Sequence, residues 1–355
     1  MFDHPLLTIF VFLAVLFLYI HITAQWKTSE DLEIYEMDYL NNTNLQEICA
    51  VKQPVLFELP HCVDVYDRIQ LSKMSKYDTY DLGVKDTRDY YQTTDESGFP
   101  TAKGSSEPDF TSVEPVSLPF HSAVRLMETD TNARYISESN AAFLEETGLA
   151  NTIGGLDYYL KPTGNMYSQK DLWLGSKGAT TPMRYHTNTN CFLVATGGKI
   201  RVKMTPWKSR KLLYPIKDYD QYEFRSPVNV WNPAEIHKHE IDKLRCLDFD
   251  VHAGYVLSIP PYWWYSIQYS TDPATCVCAV SYNTIINSLA HINDWAMYYL
   301  QQSNITTKVS KPPKSESRED QYDIVPNTAS ATPPPPNEPK EIITNAGVYH
   351  VAPTE

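Results

Sequence analysis

The sequence predicts a mainly β (α+β) domain, a sandwich or barrel with flanking helices, carried behind one apolar N-terminal helix. Three observations predict it. Short apolar runs between residues 171 and 283 are separated by Gly, Pro, Asn and Asp. No helical period intervenes among them, which disfavours an α/β sheet. Residues 5–24 form an uncharged apolar stretch. The 355 residues leave room for one large domain plus extras, and 42% hydrophobic content with 12% aromatic residues suits a globular core. A net charge of −13 argues against nucleic-acid binding by general electrostatics, although a local basic pocket stays open.

In chain order, Pro5 to Ala24 is long enough to cross a bilayer, at about 1.5 Å rise per residue against roughly 30 Å of hydrocarbon. A cleaved signal peptide is the rival reading. It fits less well, because the leading residues carry Asp3 and no Lys or Arg, and Ile22-Thr23-Ala24 lacks a small residue at the −3 position. A single-pass transmembrane anchor over 5–24 is therefore expected, with its orientation open. Residues 27–47 are polar and acidic and read as a juxtamembrane stalk. Asn41 and Asn304 begin sequons that matter only in a luminal segment.

The folded domain is expected over 48–301. Gln53 to Leu59 reads as its first buried strand, opened by Pro54. Residues 75–112 are rich in Tyr, Asp, Ser and Gly and read as a long surface insertion. Residues 136–148 read as a helix capped by Ser137 or Ser139. Strands follow at 172–174, 191–194, 199–204, 256–259 and 275–281. Ile285, Leu289, Ile292, Trp295, Ala296, Tyr299 and Leu300 recur at helical spacing and predict an amphipathic helix packed on the barrel. From 302 to 355 the chain reads as a disordered tail holding nine of the 25 prolines, a composition that cannot bury a core.

None of the six cysteines forms a CxxC. Cys276 and Cys278 read as small core residues on one strand face, and a Cys49–Cys62 bridge depends on the compartment. His237-Lys-His239, with Glu235, Glu240 and His252 nearby, would share a strand face as a metal constellation; solvated histidines are the simpler account.

The run from Asp171 to Asn190, Asp-Leu-Trp-Leu-Gly-Ser-Lys-Gly-Ala-Thr-Thr-Pro-Met-Arg-Tyr-His-Thr-Asn-Thr-Asn, resembles the JmjC/cupin-8 signature LWxGxxGxxTPxHxDxxxN. Gly197-Gly-Lys199, Leu213-Tyr-Pro215 and the stretch Gly254 to Tyr265, with its Ile-Pro-Pro-Tyr-Trp-Trp core, are similar to further elements of that family in the same order. The resemblance implies a double-stranded β-helix, a cupin or jelly-roll barrel. In catalytic members this barrel binds Fe(II) and 2-oxoglutarate and hydroxylates or demethylates a protein side chain. That chemistry needs two imidazoles and a carboxylate on one face of the metal.

Here the ligand positions hold Arg184, His186 and Tyr265, and the family's Asp after the strand-opening glycine is Tyr255. A guanidinium has no lone pair to donate. The resemblance therefore implies no catalytic residue, no metal and no cofactor, and a binding or structural member of the family. The alternative is an Fe(II)/2-oxoglutarate-dependent oxygenase with atypical ligands. Thr181, Asn190 and Lys199 match cosubstrate positions of asparaginyl-hydroxylase-like members. With Arg184 and His186 they predict a basic inner pocket for a small anion. The expected partners are a membrane, a small anion in the barrel and a protein, with no nucleic acid. The layout is similar to proteins of large DNA viruses and protists, which implies a host or virion membrane.

Overall fold

A computed structural model describes residues 5–91, 112–269 and 275–310. Its strands, in chain order, are β1 Tyr35–Asp38, β2 Val55–Glu58, β3 Asp81–Asp86, β4 Val116–Pro119 and β5 Tyr135–Ser137. Then come β6 Asn165–Gly175, β7 Arg184–Tyr185, β8 Asn190–Gly197, β9 Lys199–Thr205 and β10 Ile216–Asp218. The last are β11 Glu223–Arg225, β12 Leu247–His252, β13 Tyr255–Ile259, β14 Trp264–Tyr269 and β15 Cys276–Thr284. They form a nine-stranded sheet, β1-β2-β13-β8-β15-β6-β5-β3-β4, and a six-stranded sheet, β10-β11-β7-β14-β9-β12. Every pairing is antiparallel except β1 with β2, so the fold is the expected cupin barrel.

Strand alternation divides the core into two layers. On β8, Leu193 and Ala195 face the space between the sheets, where they meet Ile200, Val202 and Met204 of β9 and Ile267 of β14. Phe192 and Val194 point the other way, into a layer shared with Leu45, Phe143 and Leu160 of the covering helices. Cys276 and Cys278 lie in that outer layer, as buried thiols. Cys49 and Cys62 are also buried free thiols, and burial pushes each up to about 11.

Four expectations need correction. The stretch 27–47 is no free stalk: β1 extends the large sheet, Leu45 is fully buried, and Trp263 Nε1 donates to the Ser29 carbonyl at 3.1 Å. The first part of the insertion is built into the domain, because β3 pairs with both β4 and β5 and buries Leu82 and Val84. Residues 92–111 lie outside the described residues. The helix expected at 136–148 gives way to β5 and then two short helices, Ala141–Glu146 and Leu149–Gly154, separated by the left-handed Gly148. His237 and His239 sit on a helix, Glu235–Ile241, not a strand. Two residues apart on a helix face different ways, and His237 is buried while His239 is exposed.

The N-terminal helix, Pro5–Gln25, contains one segment, Leu6–Gln25, long and apolar enough to cross a membrane. The last helix runs from Ile292 to Ser310, past the expected end at 301, and the proline-rich tail lies outside the described residues.

Candidate functional site

Arg184 opens β7, and Tyr265 of β14 stands directly opposite it in the antiparallel register. His186 follows two residues along. All three line one cavity of about 160 Å³ between the sheets, so the fold does converge the positions that hold metal in catalytic relatives. β6 contributes Asp171 and Trp173, β8 contributes Cys191, and β11 contributes Glu223.

What fills the centre is an ion pair. Arg184 is 8% exposed, and its two terminal nitrogens donate to both oxygens of Glu138 at 2.8 and 2.5 Å. Glu138 is 3% exposed. Glu223 accepts a longer bond from the same guanidinium at 3.4 Å. Trp173 and Tyr265 flank the cation, with ring centroids 4.6 and 5.5 Å from its central carbon. Burial disfavours the charge on both partners, yet their mutual attraction prevails. It holds the Glu138 carboxyl below its ordinary value and the Arg184 guanidinium well above its own.

The placement of Glu138 has a local cause. It lies just after β5, in a turn pinned by the buried carboxylate of Asp171. That carboxylate accepts from the backbone N–H groups of Ser139, Asn140 and Leu172 and from Trp173 Nε1, all at 2.7–2.8 Å. Ser139 adopts φ +65°, a conformation unfavourable for a side-chain-bearing residue, and the Asp171 bonds hold it there. The motif residue beside Trp173 therefore aims Glu138 at Arg184. The pairing partner is 46 residues away and carries no sequence signature.

The remaining predicted positions do not join the cavity. The Thr181 hydroxyl accepts the Ile267 N–H at 3.0 Å, within the sheet. Asn190 donates to Gln46 at 2.7 Å. Lys199 is on the outer face of β9, bonded to Asp250 at 2.8 Å. Ile200, Val202 and Met204 of that strand face inward, so Lys199, Arg201 and Lys203 must face out. The alternation Lys-Ile-Arg-Val-Lys-Met was itself the signal for this.

Sequence reasoning missed a second cation that lines the cavity. Lys85 of β3 is 4% exposed, and its ammonium donates to the Tyr90 hydroxyl at 3.4 Å. Among the described residues no carboxylate oxygen lies within 4 Å of it. The expected basic pocket is thus corrected: Arg184 is neutralised internally, Lys199 is elsewhere, and Lys85 shares the wall with Glu138, Asp171 and Glu223, so the lining is not basic.

The donor set does not fit Fe(II). Arg184 offers no lone pair, burial pushes the Tyr265 phenol further from ionisation, and the Nε2 of His186 bonds the Ile259 carbonyl at 3.1 Å. Desolvation lowers the His186 imidazole to about 4, so it is neutral at pH 7, but it is a single ligand. Among the described residues no three His, Cys, Asp or Glu side chains cluster as a metal site. The positions expected to hold 2-oxoglutarate fit no better, since Thr181 and Asn190 are committed to structural bonds and Lys199 is outside.

A family profile described as "Cupin-like domain" matches residues 41–288. HSPB1-associated protein 1 from Bos taurus is 30% identical over 113 residues, 32% of this chain and 23% of that protein. Its Homo sapiens counterpart is 28% identical over the same length. JmjC domain-containing protein D from Dictyostelium discoideum is 30% identical over 96 residues, 27% of this chain and 21% of that protein. The chain spans about a quarter of the length of the curated relatives it matches.

Proposed function

Because this chain belongs to the family of cupin-like domains, we propose that it is a non-catalytic binding member, held at a membrane by its N-terminal helix. The observation that carries this reading is the buried Arg184–Glu138 pair at the site where catalytic relatives hold metal. A permanent cation there repels a divalent ion, and its bidentate partner removes the carboxylate that could have bound one. Leu6–Gln25 supports the anchor through its length, its lack of charge and its exposure.

The ligand of the cavity is a small anion held by Lys85. A buried ammonium with one neutral hydroxyl partner is costly unless a counter-charge completes it; among the described residues no carboxylate oxygen lies within 4 Å, and Glu138, which Lys85 attracts from further away, is already engaged by Arg184. The relatives named HSPB1-associated protein 1 support a protein partner as a second use of the domain.

Elemental analysis after anaerobic Fe(II) loading, with calorimetry against 2-oxoglutarate, citrate and phosphate, tests the reading. The expected result is no stoichiometric iron, and binding of at least one anion that Lys85→Met abolishes. Stoichiometric iron with oxygen-dependent succinate release would overturn the non-catalytic assignment. No heat with any anion would remove the ligand and leave a scaffold.

A further inference from the structure

The two C-terminal helices, Ile285–Ala290 and Ile292–Ser310, are packed inside out. Their polar and aromatic face is the one held against the barrel. Asn287 is buried and donates to the Thr187 carbonyl at 2.9 Å. His291 bonds the Tyr262 hydroxyl at 2.6 Å, and Asp294 accepts from Lys217 at 3.0 Å and from the Tyr219 hydroxyl at 2.7 Å. Trp295 stacks on Tyr222 with ring centroids 5.0 Å apart, and Gln302 donates to the Asp220 carbonyl at 2.7 Å.

The aliphatic face is left outside. Ile285, Leu289, Ile292 and Leu300 are 56, 45, 58 and 61% exposed, with Tyr299 beside them. Of the stripe expected to pack on the barrel, Trp295 does so, while for Ile285, Leu289, Ile292, Tyr299 and Leu300 the expectation is corrected. A surface helix ordinarily buries its apolar stripe, so an inverted one marks a face with another apolar partner.

The partner follows from what stands next to it. The N-terminal helix ends against the same pair of helices: Trp26 Nε1 donates to the Ala290 carbonyl at 3.1 Å. Lys52 caps the last turn of that helix, donating to the carbonyls of Ala24 at 2.7 Å and Gln25 at 3.3 Å. These bonds tie the end of the apolar helix to the domain, beside the exposed stripe. An exposed Trp at that end is a residue suited to the headgroup layer.

We propose that the aliphatic face of Ile285–Ala290 and Ile292–Ser310 lies in the headgroup boundary of the bilayer that the N-terminal helix crosses, so that the domain is seated on the membrane and not suspended above it. The proposal rests on the anchor reading above. An interfacial helix places its apolar side toward the acyl chains and its polar side away from them, which is the arrangement found here with the barrel on the polar side.

The test uses the full chain, with Cys246 changed to Ser, reconstituted in phosphatidylcholine–phosphatidylserine vesicles. An environment-sensitive fluorophore is placed at Leu289→Cys, at Leu300→Cys, or at the control Lys199→Cys, which is on β9 and away from the β10 edge. Leu289 and Leu300 are exposed and Lys199 is half-buried with its ammonium at the surface, and thermal unfolding checks that each variant folds. Nitroxide-labelled lipid should quench the 289 and 300 probes about twofold or more relative to the control. Chain that resists carbonate extraction but shows equal quenching at all three sites overturns the seating and leaves the anchor. Chain released by carbonate overturns both. Probes at 289 and 300 that are shielded from water yet unquenched by lipid assign the face to protein, either a second copy or the chain's own C-terminal segment, and overturn the proposal.

Discussion

Removing Glu138 is the most direct perturbation of the cavity. Both partners of its pair with Arg184 are buried, and two charge-assisted bonds join them. Glu138→Leu leaves a buried guanidinium whose nearest remaining counter-charge is Glu223 at 3.4 Å. Breaking a buried pair from one side costs about 3–5 kcal/mol. Partial compensation by Glu223 places this variant near the lower bound, about 3 kcal/mol, or roughly 6–12 °C in Tm for a domain of this size.

Arg184→Met strands the carboxylate instead and should cost a similar amount. Replacing both partners by apolar groups removes the desolvation penalty along with the attraction, so the double variant should recover at least about 2 kcal/mol relative to either single one. Denaturant unfolding of the detergent-solubilised chain, followed by tryptophan fluorescence, reads all three; Trp173 against the Arg184 guanidinium is a local reporter. Additive single effects, or singles within about 0.5 kcal/mol of the parent, would refute the claim that this pair organises the cavity.

Gly175→Ala should destabilise the domain severely, because a Cβ there would lie 2.2 Å from the Tyr269 ring; failure to accumulate folded protein, or a large drop in Tm, is the readout. Stability should fall on acidification. His186 drops from 6.5 to about 4 on folding, so between those values the unfolded chain takes up about one more proton at this site and unfolding is favoured as pH decreases. Glu138, also depressed in the fold, adds stability that is present above its unfolded value near 4.5 and lost as pH falls through the folded one. Unfolding measured from pH 7 to 4 should show this slope, and His186→Asn should reduce it. The triple change Arg184→His, His186→Asp and Tyr265→His should confer Co(II) binding visible by absorbance, since the three positions already share one cavity; no binding would mean that the backbone geometry has drifted as well as the ligands.

The barrel is legible in the amino-acid sequence. Its strands announce themselves by period-two alternation, its turns by Gly and Pro, and its ligand positions by a contiguous motif, all properties of neighbouring residues in the chain. The replacement of the metal ligands by Arg184, His186 and Tyr265 was therefore determined by sequence alone, as was the existence of an amphipathic C-terminal helical stretch and of the apolar N-terminal helix.

Alternation reports that residues share a face but not which face is inside, and it says nothing of partners far along the chain. Lys199 could be assigned inward by motif register, yet closure of the barrel on Ile200, Val202 and Met204 turned it out. Glu138 and Lys85 come from strands and turns remote from the motif, and only the folding of β3 and β5 onto β6 brings them to Arg184. The aliphatic members of the C-terminal stripe are expected to face the core because such faces usually do. Tertiary structure decided otherwise, because hydrogen bonds from Asn287, His291, Asp294 and Gln302 satisfy the polar face against the barrel and leave the aliphatic one outward.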